Sequence, residues 1–100
     1  NNMKTKLLNT FAIIKAAEKV TGKPAKVIRG STRVASVVAV RNLCYKVAKE
    51  QLNLADRDIA SSFGRDRSAV THSLKRVEMD LAQRGNYRVM LSLIQEELGL

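Results

Sequence analysis

Apolar residues return every three or four positions along most of this chain and never settle into strand-like alternation with polar ones, so the pattern predicts helices and no strands. Leu7, Leu8, Phe11, Ile14, Ala17 and Val20 form the first stripe, a helix with Lys15, Glu18 and Lys19 outside, which Gly22 and Pro24 terminate. Lys23 to Arg33 reads as a loop anchored to the core by Val27 and Ile28. Val34 to Leu52 is the longest helix, and Val37, Val38, Val40, Leu43, Cys44, Val47, Ala48 and Leu52 cover so wide an arc that it belongs at the centre of the core. Asn53-Leu54-Ala55-Asp56 breaks it and offers Asn53 or Asp56 as the cap of the next helix. That helix carries Ile59, Ala60 and Phe63 on one side and stops at Gly64, a residue able to turn left-handed. Asp66 is then placed to cap a second helix with the stripe Val70, Leu74, Val77 and Leu81, ended by Gly85-Asn86. In the last helix Tyr87, Met90, Leu91, Ile94 and Leu98 point inward, and Gln95, Glu96 and Glu97 outward. The fold class expected is all-α: one small domain over residues 1–100, with about five to six helices.

Residues 56–84 have the form of a helix-turn-helix, two helices joined by a tight turn containing one glycine. Opposite the buried stripe of its second helix stand Ser68, His72 and Lys75, flanked by Thr71 and Arg76, with Arg67 at the helix start. Such a face fits a major groove, because the first helix crosses the DNA backbone while the second presents its N-terminal residues to base edges. The pattern also fits two helices of an ordinary all-α domain with a solvated face.

Charge changes the balance between these readings. Eighteen Lys+Arg against nine Asp+Glu leave a formal net charge of +9 and a pI near 10.2, which favours a polyanionic partner. Residues 1 to 33 carry eight positive charges against Glu18 alone. Lys26, Arg29 and Arg33 surround Gly30-Ser31-Thr32, the composition of an arm that follows phosphates or enters a minor groove; a solvated linker has the same composition. Arg41 and Lys49, eight apart and so two turns separated in line, form a row able to hold a phosphate strand.

Other chemistry finds little support. His72 is the only histidine and has no cysteine pair or carboxylate cluster beside it, so no metal is expected. Ser61, Ser62, Ser68 and Ser73 lie in no nucleophile turn, and there is no glycine-rich phosphate loop. No enzymatic activity, cofactor or small-molecule substrate is therefore expected. Cys44, alone among Val40, Leu43, Val47 and Ala48, reads as a buried apolar residue in a reducing compartment. No segment reads as a membrane span or a secretory signal, so a cytoplasmic, nucleoid-associated protein is expected. Asn1-Asn2 look like a tag remnant before a start at Met3.

Phe63-Gly64-Arg65-Asp66-Arg67-Ser68-Ala69-Val70-Thr71-His72 resembles the F-G-G-R-D-H-[ST]-T-V-x-H signature of the C-terminal DNA-binding domain, domain IV, of the bacterial replication initiator DnaA. Val40-Arg41-Asn42-Leu43, Ala48-Lys49-Glu50 and Asp58-Ile59-Ala60 are similar to that family's P-R-Q-[MI], A-[KR]-E and E-I-G elements, and the resemblance runs from Phe11 to the C-terminus. It implies a Trp-repressor-like helix-turn-helix whose second helix reads a short A·T-rich DnaA box in double-stranded DNA. By position, Arg65, Asp66, Arg67, Ser68, Thr71, His72 and Lys75 would lie at bases or nearby phosphates. Arg41 and Lys49 would contact the backbone, and Arg33, with Arg29 in the same basic loop, would serve the minor groove.

Three positions depart from the signature: one glycine replaces two, Arg67 stands for histidine and Ala69 for threonine, while Ala35 occupies a site where a further arginine is expected after Arg33. Arg67 can pair bidentately with guanine, so the preferred box is expected to shift at one or two base pairs. Nothing here resembles the initiator's ATPase domain, so the expected mode is site occupancy in replication or transcription control. A different class remains open: an adaptor that binds a replication initiator or another protein through the Tyr87, Met90, Leu91 and Ile94 face.

Overall fold

The computed structural model describes residues 8–100 and contains six α-helices and no strand among them: α1 Thr10–Thr21, α2 Ala25–Arg29, α3 Ala35–Leu52, α4 Asp56–Phe63, α5 Arg67–Gln83 and α6 Gly85–Glu97. Leu7 and the Asn1-Asn2-Met3 start fall outside the described residues. Every helix sends at least one fully buried side chain to a common core: Ile13, Ile28, Leu43, Ile59, Val70 and Ile94, in chain order, are all 0% exposed. The all-α expectation therefore holds.

The central position of α3 follows from its composition. Val40 through Tyr45 are buried without interruption, because α1, α2, α4 and α5 all pack against this one helix. Tyr45 meets Phe63 edge to face, with ring centroids 4.8 Å apart, and this contact docks the end of α4 on α3. Cys44 directly precedes Tyr45 and is fully buried, which pushes its thiol up to about 12 and keeps it protonated.

Four expectations need correction. Phe11 is 69% exposed; it shares an outward row with Lys15 and Lys19, while Ile13, Ile14, Ala16 and Ala17 turn in, because α1 is covered by α2, α3 and α6 rather than by a single neighbour. The segment 23–33 is not all loop: Pro24 sets the backbone for α2, and Glu18 accepts a hydrogen bond from the Ala25 N–H at 2.7 Å, supplying the cap that α2 lacks locally. Asn53 caps no helix start; with φ of 54° it is the left-handed end of α3, and Asp56 is the first residue of α4 rather than its cap. Gly85 does not end α5 but begins α6, and a single extended residue, Arg84, separates the two helices.

The largest departure concerns Arg41, which is 6% exposed. Its Nε donates to the Ile28 carbonyl at 2.7 Å, Nη1 to the Thr32 carbonyl at 3.0 Å and Nη2 to the Val27 carbonyl at 3.4 Å. At the end of the five-residue α2 the Val27 carbonyl accepts from the Gly30 N–H at 3.1 Å, and the guanidinium fork rising from α3 adds partners for the Ile28 carbonyl and for that of Thr32 beyond the helix. Burial, reinforced by nearby Arg65, pulls the Arg41 pKa below its ordinary value. Arg41 thus cannot form a surface row with Lys49.

Replacing Arg41 with Met should remove all three hydrogen bonds, leave buried carbonyls unpaired and cost about 3 kcal/mol. Arg41→Lys should recover only part of this, because an ammonium lacks the fork; urea midpoints at unchanged m-value report both effects. Gly64→Ala should cost about 1 kcal/mol in the same measurement: a Cβ there meets no atom within 4 Å, so the penalty is that of placing alanine at a φ of 62°.

Candidate nucleic-acid interface

The turn between α4 and α5 is built by two backbone hydrogen bonds. Arg65 N–H donates to the Ala60 carbonyl at 2.8 Å and Gly64 N–H to the Ser61 carbonyl at 3.2 Å, the paired closure that a left-handed glycine allows at a helix end. Asp66 then caps α5 as its sequence position predicts. Its carboxylate accepts from the Ser68 N–H at 3.1 Å and from the Ser68 hydroxyl, and these contacts, hydroxyl first, hold the Asp66 carboxyl below the usual range.

With this start fixed, α5 buries Val70, Val77 and Leu81 and turns Arg67, Ser68, Ala69, His72, Lys75 and Arg76 to solvent. Arg67 and Lys75 make no ion pair among the described residues. Arg76 is held by Asp80 one turn on, at 3.3 Å. Thr71 is half-buried, and its hydroxyl donates to Asp56 at 2.6 Å. Arg65 does not join the exposed set: it is half-buried in the turn, close to Tyr45, with its Nη2 enclosed and lacking a hydrogen-bond partner.

The basic segment is docked against this motif rather than loose beside it. Arg29 is exposed, yet its Nε and Nη2 both donate to the Ser62 carbonyl, at 3.2 and 2.9 Å, tying the end of α2 to the last turn of α4. Arg29 is therefore a brace, in place of the groove-entering side chain expected. Arg33 is exposed and makes no ion pair among the described residues; it lines a cleft of about 380 Å³ together with Asn42, His72, Ser73, Arg76 and Tyr87. The segment from 30 to 34 and the outward face of α5 thus border one concavity.

Lys49, the other expected backbone contact, is half-exposed but paired with Asp56 at 2.5 Å. Lys49, first, and then Thr71 hold the Asp56 carboxyl below its ordinary range. Asp56 itself was not legible as a member of the site: Lys49, Asp56 and Thr71 stand on three successive helices, α3, α4 and α5, and only the packing of those helices brings them together. Asn42 and Tyr87 were missed for the same reason, whereas the Arg76–Asp80 pair carries a visible signal in its spacing of four. Of the Tyr87, Met90, Leu91 and Ile94 face considered for a protein partner, Ile94 is fully buried in the core and the other three pack against it partly buried, while Tyr87 and Met90 also line an open cavity beside exposed Val89 and Leu93. No group of three or more His, Cys, Asp or Glu residues able to hold a metal occurs among the described residues, and none of their helices is long and apolar enough to cross a membrane.

Comparison with known proteins agrees with this geometry. The bacterial dnaA protein helix-turn-helix family matches residues 11–77, from the first turn of α1 to the third stripe residue of α5. The chromosomal replication initiator protein DnaA of Thermotoga petrophila is 36% identical over 87 residues, and that of Thermotoga maritima is 33% identical over 87. Each alignment covers 87% of this chain and 19% of the relative. The chromosomal replication initiator protein DnaA 1 of Protochlamydia amoebophila is 27% identical over 71 residues, 71% of this chain and 16% of that protein. The chain thus spans about a fifth of the length of the relatives it matches. With two thirds of its residues matched and the capped turn and recognition helix built as described, the chain belongs to the bacterial DnaA helix-turn-helix family, that of the initiator's C-terminal DNA-binding domain.

Proposed function

We propose that this chain forms one domain that binds double-stranded DNA at a short, DnaA-box-like, A·T-rich site. It acts by occupying that site in the control of replication or transcription, with no ATP hydrolysis of its own, in the cytoplasm at the nucleoid. What supports this most is the shared cleft: Arg33 from the basic segment and His72 and Arg76 from α5 border one concavity, so a duplex seated on α5 would meet an arginine beside the groove being read. The net charge of +9 supplies the long-range attraction.

In this reading Arg67, Ser68, His72 and Lys75 face the major groove, and Asp66 holds the helix start that orients them. Arg33 addresses the minor groove, while Arg29 and Arg41 hold the basic segment in place. Arg67, standing where the family carries histidine, is the side chain that would alter base preference, through a bidentate pair with guanine worth about 1–3 kcal/mol of discrimination.

Fluorescence anisotropy with a labelled A·T-rich box, competed by a scrambled duplex at moderate salt, tests the reading. A preference of at least about tenfold is expected, and equal affinity for both duplexes sinks specific readout. Selection from a random pool should return a box whose preferred base changes with Arg67→Ala at one or two positions. Arg33→Ala should instead weaken binding chiefly to sites flanked by A·T-rich sequence, where the minor groove is narrow.

A further inference from the structure

The flank of α5 that faces the end of α3 carries as many carboxylates as lysines. A shallow depression of about 310 Å³ there is lined by Lys46, Lys49 and Lys75 and by Glu50, Asp56 and Glu78. Lys46 is held by both Glu50 and Glu78, and Lys49 by Asp56, which leaves Lys75 alone without a carboxylate partner among the described residues. Asp56 has the most contacts to different elements. From the first position of α4 its Oδ1 accepts from Lys49 Nζ on α3 at 2.5 Å, and its Oδ2 accepts from the Thr71 hydroxyl on α5 at 2.6 Å. The Asp56 side chain is 22% exposed and that of Lys49 is 46% exposed, so the pair sits at the surface, partly shielded from water.

We propose that Asp56 is a restraining residue of the DNA interface, which holds the Lys49 ammonium against the protein and so keeps that cation from binding phosphates of any sequence. This rests on the DNA-binding reading and deepens it. Thr71 matters because its hydroxyl fixes the second carboxylate oxygen: with Oδ2 engaged on α5, Oδ1 stays directed at α3, and the carboxylate cannot follow Lys49 outward. A lysine paired in this way releases no condensed counterion when DNA arrives, and so adds nothing to the salt-dependent, sequence-independent part of binding. The chain then keeps its base-facing cations, such as Arg67 and Lys75, while one cation beside them is withheld from the backbone, which lowers the sequence-independent part of the affinity on every duplex alike.

The experiment measures duplex affinity against salt concentration for the full chain and three variants, Asp56→Asn, Lys49→Ala and the double substitution, on the A·T-rich box and on a scrambled duplex. Asp56→Asn should tighten binding to both duplexes several-fold and steepen the logarithmic salt slope by about 0.9, one further phosphate neutralised. Lys49→Ala alone should change affinity less than twofold and leave the slope as it is. In the double variant the gain of Asp56→Asn should disappear. If that gain persists, it comes from lost negative charge alone and the proposal fails. It fails too if Asp56→Asn leaves the slope unchanged, or if Lys49→Ala weakens binding and flattens the slope in the presence of Asp56. Should Asp56→Asn not fold, Thr71→Val takes its place: freeing Oδ2 should tighten binding to both duplexes and steepen the slope in the same sense, an effect lost when Lys49→Ala is added, and an unchanged slope overturns the proposal. If the unaltered chain binds neither duplex, the DNA-binding reading falls and this proposal with it; if it binds and only the slopes disagree, the proposal alone falls.

Discussion

The geometry of the interface rests on one buried guanidinium. Arg41 rises from the middle of the central helix and donates to main-chain oxygens at 27, 28 and 32, which are the end of α2 and the segment that follows it. A helix of five residues has too few internal hydrogen bonds to persist alone, so α2 depends on partners brought by other elements. It has three: Glu18 at its start, Arg41 at its end and the Ser62 carbonyl that receives Arg29. Removing a long charged side chain from water at this site is compensated only because every arm of the fork finds an acceptor. The placement of Arg33 beside α5 follows from it, since residue 33 directly succeeds the last carbonyl that Arg41 holds.

The fold was largely legible in the sequence because helix periodicity and helix ends are local properties. The wide apolar arc of α3, the stripe of α5, the left-handed Gly64 and the Asp66 cap are each specified within one or two turns of chain, and each is found. Phe11 shows the limit of that approach. Its spacing fits a stripe as well as that of Ile13, and the choice between them depends on which neighbours cover α1, a tertiary fact. The candidate site was harder to read. Arginine is the same letter whether it reaches for a phosphate or for a carbonyl of its own chain: Arg41 is buried on such carbonyls, and Arg29, though exposed as expected, spends its guanidinium on one. What separates them is their distance to residues 13 to 33 positions away along the chain.

Charge is distributed unevenly around α5. On the side towards the basic segment, Arg76 is paired with Asp80 and Arg33 is left, among the described residues, as the unpaired cation of an open cleft; on the side towards the end of α3, three lysines face three carboxylates. The excess positive charge is thus modest and lies on the flank of Arg33, which favours the orientation that brings a polyanion's backbone to that side. The α6 helix stands apart from this asymmetry: Lys19 reaches Glu97 at 3.0 Å and Arg88 donates to the Leu81 carbonyl at 2.6 Å, contacts that close the core away from the recognition face.

The braces that hold the basic segment share one property: Arg29 and Arg41 donate to carbonyl oxygens only, never to side chains. A backbone oxygen is present whatever residue occupies its position. Residues 27, 28, 32 and 62 can therefore change identity without releasing the arginines that grip them, provided the local backbone is kept. The frame that aligns the basic segment with α5 is in this sense indifferent to the letters it passes through. Side chains such as Arg33, Arg67 and Ala69 lie outside that frame, so they are free to diverge while the scaffold carrying them stays constant.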